Sequence, residues 1–232
     1  MKKIKLMIAA VALLMMAASC SKDDHINHGK LPTIQFTFTN NQIVFAVTVQ
    51  SMTIDWGDGT TEEYTNLNFN TDAVSHPYAS NVEHTVRIYA NDLSYFQCYN
   101  QQLTALDVSN NTALTYLDCG RNPLGSLNVS NNTALTWLGC FGNQLRSLDV
   151  SNNTALTYLD CGRNPLVSLD VSNNTALTWL GCFGNQLDAD ALNKIFTDLP
   201  TVQSGDIYIN NNPGIEGCDR SIATVKNWNV VY

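Results

Sequence analysis

The sequence predicts a mainly β chain organised around a solenoid. Three observations carry that reading. From Leu103 to Leu187 an apolar pattern returns every 21 residues, marked by Leu103, Leu124, Leu145, Leu166 and Leu187, and a fixed period of this size means stacked coils that bury their apolar edges against one another. Ahead of the repeats, Thr33 to Val49 alternates with the two-residue period of half-buried strands. Behind them, Ala191, Leu192, Ile195, Phe196 and Leu199 have a helical spacing that Pro200 ends. With 232 residues, 44% of them apolar, the chain is long enough for substantial cores.

Residues 1–19 carry three lysines, then an uncharged run from Leu6 to Ala18, then Ala17-Ala18-Ser19-Cys20. The apolar run is too short to cross a bilayer and reads as a secretory signal. Small residues directly before a cysteine resemble a lipoprotein cleavage site, which implies lipid attachment at Cys20. Ser21-Lys22-Asp23-Asp24 resembles the acidic tag that some Gram-negative bacteria use to send lipoproteins outward. The resemblance implies an outer-membrane, surface-exposed protein that meets the membrane through its lipid only, with residues 20–32 as a linker. Removing the signal leaves 9 basic against 20 acidic residues, a net charge of −11. Such a charge keeps a domain soluble and argues against nucleic acid as a partner.

Within residues 33–92 the strand pair of Thr33 to Val49 turns at Asn40-Asn41. Ile54-Asp-Trp56-Gly57-Asp58-Gly59-Thr60, His76-Pro-Tyr78 and Thr85-Val-Arg-Ile88-Tyr89 follow. In that order they resemble the PKD family, which implies a small Ig-like β-sandwich placed to cap the N-terminal end of the solenoid. Asp58-Gly59 suits a tight turn and Trp56 a core plug. A calcium site on Asp55 and Asp58 is the weaker reading, because calcium takes six or more oxygens. His76 and His84 read as edge residues.

The solenoid spans residues 93–187, with Leu93 to Leu103 as its first strand and Gln101 where later coils place asparagine. Leu114-Thr-Tyr-Leu117-Asp-Cys119-Gly-Arg-Asn122-Pro-Leu124 matches the pattern L-x-x-L-x-L-x-x-N-x-L in register with its copies. Leu124 to Asn132 is a weaker copy, so each coil is expected to hold two extended segments. These repeats resemble bacterial cell-surface leucine-rich-repeat proteins, which implies a binding scaffold without catalytic residues. Residues 106–145 recur at 148–187 with two changes, at 125/167 and 128/170, so the larger unit is a pair of unlike coils.

Cys98, Cys119, Cys140, Cys161 and Cys182 occupy one repeat position, in strands about 4.8 Å apart. Parallel Cβ vectors do not point at each other, so these residues read as buried thiols rather than disulfides. No His or carboxylate joins them from inside to hold a metal, and no cofactor is implied. Asn122, Asn143, Asn164 and Asn185 form one corner column and Asn111, Asn132, Asn153 and Asn174 another. Both are expected to bond the turn backbone and each other. Residues 188–232 read as a cap: a helix from Asp188 to Leu199, a last repeat strand at Ile207 to Ile209, a short helix from Asp219 to Lys226, a closing strand from Trp228, and a lone Cys218.

The outward positions are where function is expected. Position three gives Tyr95, Tyr116, Trp137, Tyr158 and Trp179, and position seven adds Tyr99, Phe141 and Phe183. Arg121 and Arg163 neighbour them, with Asp118 and Asp160 placed for lateral pairing. Glycines alternate with these charges, so bulky groups of one coil are expected over gaps of the next. The opposite edge offers only Asp107, Asn128, Asp149 and Asp170 with Ser and Asn. Nearly every coil residue has a copy, whereas an enzyme places singular residues in a cleft. The face therefore reads as a non-enzymatic adhesion surface for a protein, or a glycan-binding surface stacking sugars on rings, or a stiffening ladder in a spacer.

Overall fold

The computed structural model describes residues 31–232; the expected signal, Cys20 and the first part of the linker lie outside the described residues. Five strands come first: β1 (Ile34–Thr39), β2 (Gln42–Asp55), β3 (Thr61–Leu67), β4 (Ala73–Pro77) and β5 (Glu83–Ala90). The 14-residue β2 organises them. Its buried side chains fall on odd positions through Ile43, Phe45, Val47 and Val49, then on even ones at Met52 and Ile54. Since strand side chains alternate faces, this switch of parity requires a bend near Gln50-Ser51. There β2 leaves one sheet for another: its first half pairs with β4 and β6 (Tyr95–Gln97), its second half with β3 and β5.

The expected pairing across Asn40-Asn41 is not made. β1 instead pairs with β5 on one side and β7 (Leu103–Asp107) on the other, so that turn carries the chain between sheets. The sheets meet over an aromatic core in which Phe36 lies 5.7 Å from Phe45 and 5.9 Å from Phe96. Phe96 belongs to the first repeat strand. Hydrogen bonding and core thus run continuously across residues 92 and 93, where the sequence reading sets a domain boundary, and residues 31–232 form one compact unit. At the Trp56 turn, Gly57 has φ +76, and a Cβ there would lie 2.3 Å from the Thr85 carbonyl oxygen. The turn can approach β5 only because the residue is glycine.

From β6 onward the sheet is parallel and in register through β8 (Tyr116–Asp118), β9 (Trp137–Gly139), β10 (Tyr158–Asp160), β11 (Trp179–Gly181), β12 (Gly205–Tyr208) and β13 (Trp228–Val231). Each 21-residue coil contributes one three-residue strand. The second extended segment becomes a strand only in β7, where β1 lies alongside to receive its hydrogen bonds. Inside, Leu117, Leu138, Leu159 and Leu180 stack beneath Cys119, Cys140, Cys161 and Cys182, all fully buried. The cysteines are free thiols, and burial pushes them far from ionisation.

The asparagine columns stitch coil to coil. Asn143 donates to the carbonyls of Cys119 (3.1 Å) and Cys140 (2.8 Å), while its Oδ1 accepts from the Leu124 amide (3.1 Å). In the second column Asn153 donates to Val129 and Asn132 carbonyls, both at 2.9 Å. Side-chain amides therefore bond backbone, including one another's backbone, but not one another's side chains.

Beyond the repeats, α1 (Ala189–Asp198) is capped by Asp188, whose carboxylate accepts from the Ala191 amide. It buries Leu192, Ile195 and Phe196 in the continuous core. The short α2 (Ser221–Thr224) ends beside Lys226, whose ammonium donates to carbonyls at the C-terminus of α1, Phe196, Thr197 and Leu199. Among the described residues no helix is long and apolar enough to cross a membrane.

Candidate interaction surface

Three outward columns cover one face of the parallel sheet, and each follows from strand register. The first is aromatic. Tyr95, Tyr116, Trp137, Tyr158 and Trp179 stand directly opposite one another in the strand pairing. Their rings stack with centroids 4.1, 4.1, 4.7 and 4.1 Å apart and planes within 11° of parallel. The ladder extends beyond the repeats at both ends. Phe69, on the loop between β3 and β4, stacks on Tyr95 at 4.1 Å, and Tyr208 lies 5.3 Å from Trp179. Because each inner ring is sandwiched, its π faces are covered and its edge points outward.

Phe69 has no repeat signature, and only the tertiary fold brings its loop to the ladder. Tyr208 was concealed by register. Aligning Asn212 with Asn185 puts Asp206, not Tyr208, opposite Trp179, and the tyrosine reaches the column from two residues further along.

The middle column alternates Gln97, Asp118, Gly139, Asp160 and Gly181. The indoles of Trp137 and Trp179 lie across the glycines of their own strands: a Cβ on Gly139 would sit 2.5 Å from Trp137, and one on Gly181 would sit 2.7 Å from Trp179. Glycine at these positions therefore makes room for a flat indole. Asp118 accepts from the Gly120 amide (3.0 Å) and the Gln97 side chain (3.1 Å). Asp160 keeps the turn bond, from Gly162 at 3.1 Å, but its neighbour below is Gly139, which supplies no side-chain donor. Burial, with a smaller contribution from the like charge of Asp118, pushes the Asp160 carboxyl up to about 6. Burial also raises Asp118.

The third column interleaves rings and cations. The Arg121 guanidinium lies 5.6 Å from the Tyr99 ring and 5.7 Å from Phe141, and that of Arg163 lies 5.5 Å from Phe141. Phe183 is 5.6 Å from Phe141 and leans over Gly162. The expected lateral pairing of Asp118 with Arg121 does not form. Arg121 has φ +53, which turns its side chain onto Gly142 of the next coil, while Asp118 faces back into its own turn. None of the ion pairs among the described residues involves Arg121 or Arg163.

Elsewhere the carboxylates serve turns. Asp55 accepts from the Gly57 amide and faces Arg87; Asp58 accepts from Thr60 and meets His76 at 2.8 Å, while His76 stacks on Trp56 at 4.5 Å. These oxygens are committed to the turn. At the opposite edge Asp107, Asn128, Asp149 and Asp170 each accept from the serine amide two residues on. Among the described residues no three His, Cys, Asp or Glu side chains are grouped to hold a metal ion.

Parallel 21-residue coils, inward leucines and cysteines, and a buried asparagine at each strand exit define a leucine-rich-repeat β-solenoid. No family model matches the chain, and no curated protein matches it. Among solved structures it is similar to the functional domain of InlJ from Listeria monocytogenes, which includes a cysteine ladder (31% identity, TM-score 0.49, 60% of this chain and 30% of that one). It is also similar to the internalin InlF of that organism (21%, 0.39, 54% and 44%) and to a leucine-rich-repeat protein from Leptospira interrogans (16%, 0.36, 54% and 44%). The chain thus spans less than half the length of each.

Proposed function

We propose that this protein is a non-enzymatic cell-surface binding module, lipid-anchored in the outer membrane at Cys20, which recognises a protein ligand through the strand face of its solenoid. The observation that supports this reading is the shape and chemistry of the face. A rigid ladder of half-buried rings runs beside a row of exposed arginines, and aromatic and arginine side chains are the residue types on which protein interfaces concentrate their binding energy. The column of Asp107, Asn128, Asp149 and Asp170 at the opposite edge, a row of self-satisfied Asx turns, has neither.

The ring geometry also favours protein over glycan in this reading. Sugars stack on open ring faces, and here the faces of Tyr116, Trp137 and Tyr158 are occupied on both sides. What is offered outward is ring edges, which suit the side chains and carbonyl oxygens of a protein.

The test is capture of labelled host or neighbour-cell surface protein by Trp137→Ala combined with Trp179→Ala. Capture is expected to be lost while the melting temperature moves only slightly, since each indole lies outside the leucine core and loses mainly lateral stacking, of order 1 kcal/mol. A double variant that unfolds as badly as a core truncation would make the ladder structural and remove the motive for this reading. For the anchor, Cys20→Ser is expected to block lipidation and release the protein from membranes; normal processing and retention would refute it.

A further inference from the structure

One corner of every coil needs a left-handed backbone, and the residues that fill it are unequal to the task. The corner holds Asn100, Arg121, Gly142, Arg163, Gly184 and Asn211, with φ of +56, +53, +67, +49, +64 and +59. Glycine takes this conformation without strain and asparagine tolerates it, whereas a long side chain with an ordinary Cβ is disfavoured there. Coils three and five use glycine, so the fold has a cheaper solution available one coil away from each arginine. Arginine at the other two corners therefore calls for a reason outside the backbone.

The surroundings supply that reason. Gly142 and Gly184 let the arginine stems lie down: a Cβ on Gly142 would be 3.4 Å from Arg121 Cγ, and one on Gly184 would be 3.1 Å from Arg163 Cγ. The guanidinium groups then rest near Tyr99 and Phe141, a placement that restricts a flexible cation before any ligand arrives. Both arginines are exposed. Neither has a carboxylate partner among the described residues, although Asp118 and Asp160 lie only three residues away in sequence. On a chain with 20 acidic and 12 basic residues, this is a fixed cationic strip with its forked donors open to solvent.

We propose that Arg121 and Arg163, with Phe141 between them, form an anion-recognition strip that takes the carboxylates of an acidic peptide segment of the protein ligand. This rests on the reading of the strand face as a protein-binding surface. The two arginines are two coils apart, about 9.5 Å along the solenoid axis. An extended polyproline-type segment repeats its side-chain direction every three residues, about 9.3 Å. Acidic residues at positions i and i+3 of such a segment match both guanidinium groups at once, and each can accept two parallel hydrogen bonds. A β-strand, alternating every two residues, places its same-face carboxylates at about 6.6 Å and misses the spacing.

The test uses the full chain and a fluorescein-labelled proline-rich peptide with glutamate at every third position, followed by anisotropy. Controls replace glutamate by glutamine, or place it at every second position. Tight, salt-sensitive binding of the first peptide alone is expected, weakened about tenfold or more by Arg121→Gly with Arg163→Gly. The same double variant is expected to keep or raise the melting temperature, because glycine is native to that corner in other coils. Equal binding of the glutamine peptide, binding undiminished in the glycine variant, a lower melting temperature in that variant, or preference for heparin over the peptide would each overturn the proposal. Trp137→Ala with Trp179→Ala tests the face itself, so loss of surface-protein capture in the indole variant without any effect of the arginine variant would sink the strip and leave the face standing.

Discussion

The N-terminal strands and the solenoid solve the same problem, closing a β core, by opposite means. In residues 33–92 each side chain is singular: β2 alone serves both sheets, Phe36 bridges them to Phe45 and Phe96, and His76 has one place, between Asp58 and Trp56. In the solenoid each side chain is one rung of a column, and the coil above repeats its environment. Uniqueness makes a region depend on single residues but lets it satisfy a charge with a tailored partner. Repetition spreads the load, yet it can only offer a residue what its neighbours in the column happen to carry.

The carboxylates display the difference. Asp58, despite some desolvation, is held at about 2 by hydrogen bonds from Thr60 and His76. Asp160, on a column of Asp and Gly, is pushed up to about 6 by burial, and no cation among the described residues pairs with it although Arg163 follows three residues on. Asp58 and Asp160 are thus shifted in opposite directions, one by tailored partners and the other by burial in a column that offers it none.

The largest expected effect lies where the two regions meet. Phe96→Ala should remove about 3–5 kcal/mol by opening a cavity among Phe36, Phe45 and the first coil. Because the core is continuous, denaturant unfolding followed by tryptophan fluorescence and by far-ultraviolet circular dichroism should remain a single transition. Two separated transitions would break the comparison and make the regions independent. In mid-solenoid, Leu138→Ala should cost roughly 2–5 kcal/mol in the same assay, and its damage should stay local by hydrogen exchange, confined to the coils on either side.

A smaller effect is expected at the corners. Asn143→Ala strands the Leu124 amide and leaves the Cys119 and Cys140 carbonyls with only the Asn122 and Asn164 side chains as asparagine donors, and should cost about 1–3 kcal/mol. Asn153→Ala removes a donor to two carbonyls and strands no amide, so it should cost less; equal losses would show that the two columns are equivalent.

The smallest effect is electrostatic. A carboxyl raised in the folded state binds its proton more tightly there than in the unfolded chain, so the stability contributed by Asp160 is present below about pH 4 and is lost as pH rises toward 6. Asp160→Asn should therefore raise stability at pH 7, by about 1 kcal/mol once partial exposure is allowed for, and flatten the profile between pH 4 and 6. Asp58, lowered in the folded state, acts in the opposite sense: its contribution is present above about pH 4 and lost as pH falls toward 2. Asp58→Asn should weaken the protein at neutral pH and leave the profile above pH 4 unchanged in shape.

The sequence by itself determined the solenoid, down to which residues share a column, because each coil meets only the next one and a contact 21 residues away is visible as a period. Leu138, Cys140, Asn143 and Trp137 were legible for that reason. The helix over 189–198 and the strand at 228–231 were legible from local spacing alone. What the tertiary structure decided lies wherever a partner is neither local nor periodic. Only the fold shows that β1 pairs with β5 and β7 rather than β2, because a turn after Thr39 does not say which sheet the next strand joins. Only the fold delivers Phe69 to the end of the ring ladder and closes the ring faces against one another. Arg121 is the sharpest case. Its neighbour in sequence suggested pairing with Asp118, yet one positive φ at the corner swings it onto the following coil, where a glycine has left the space.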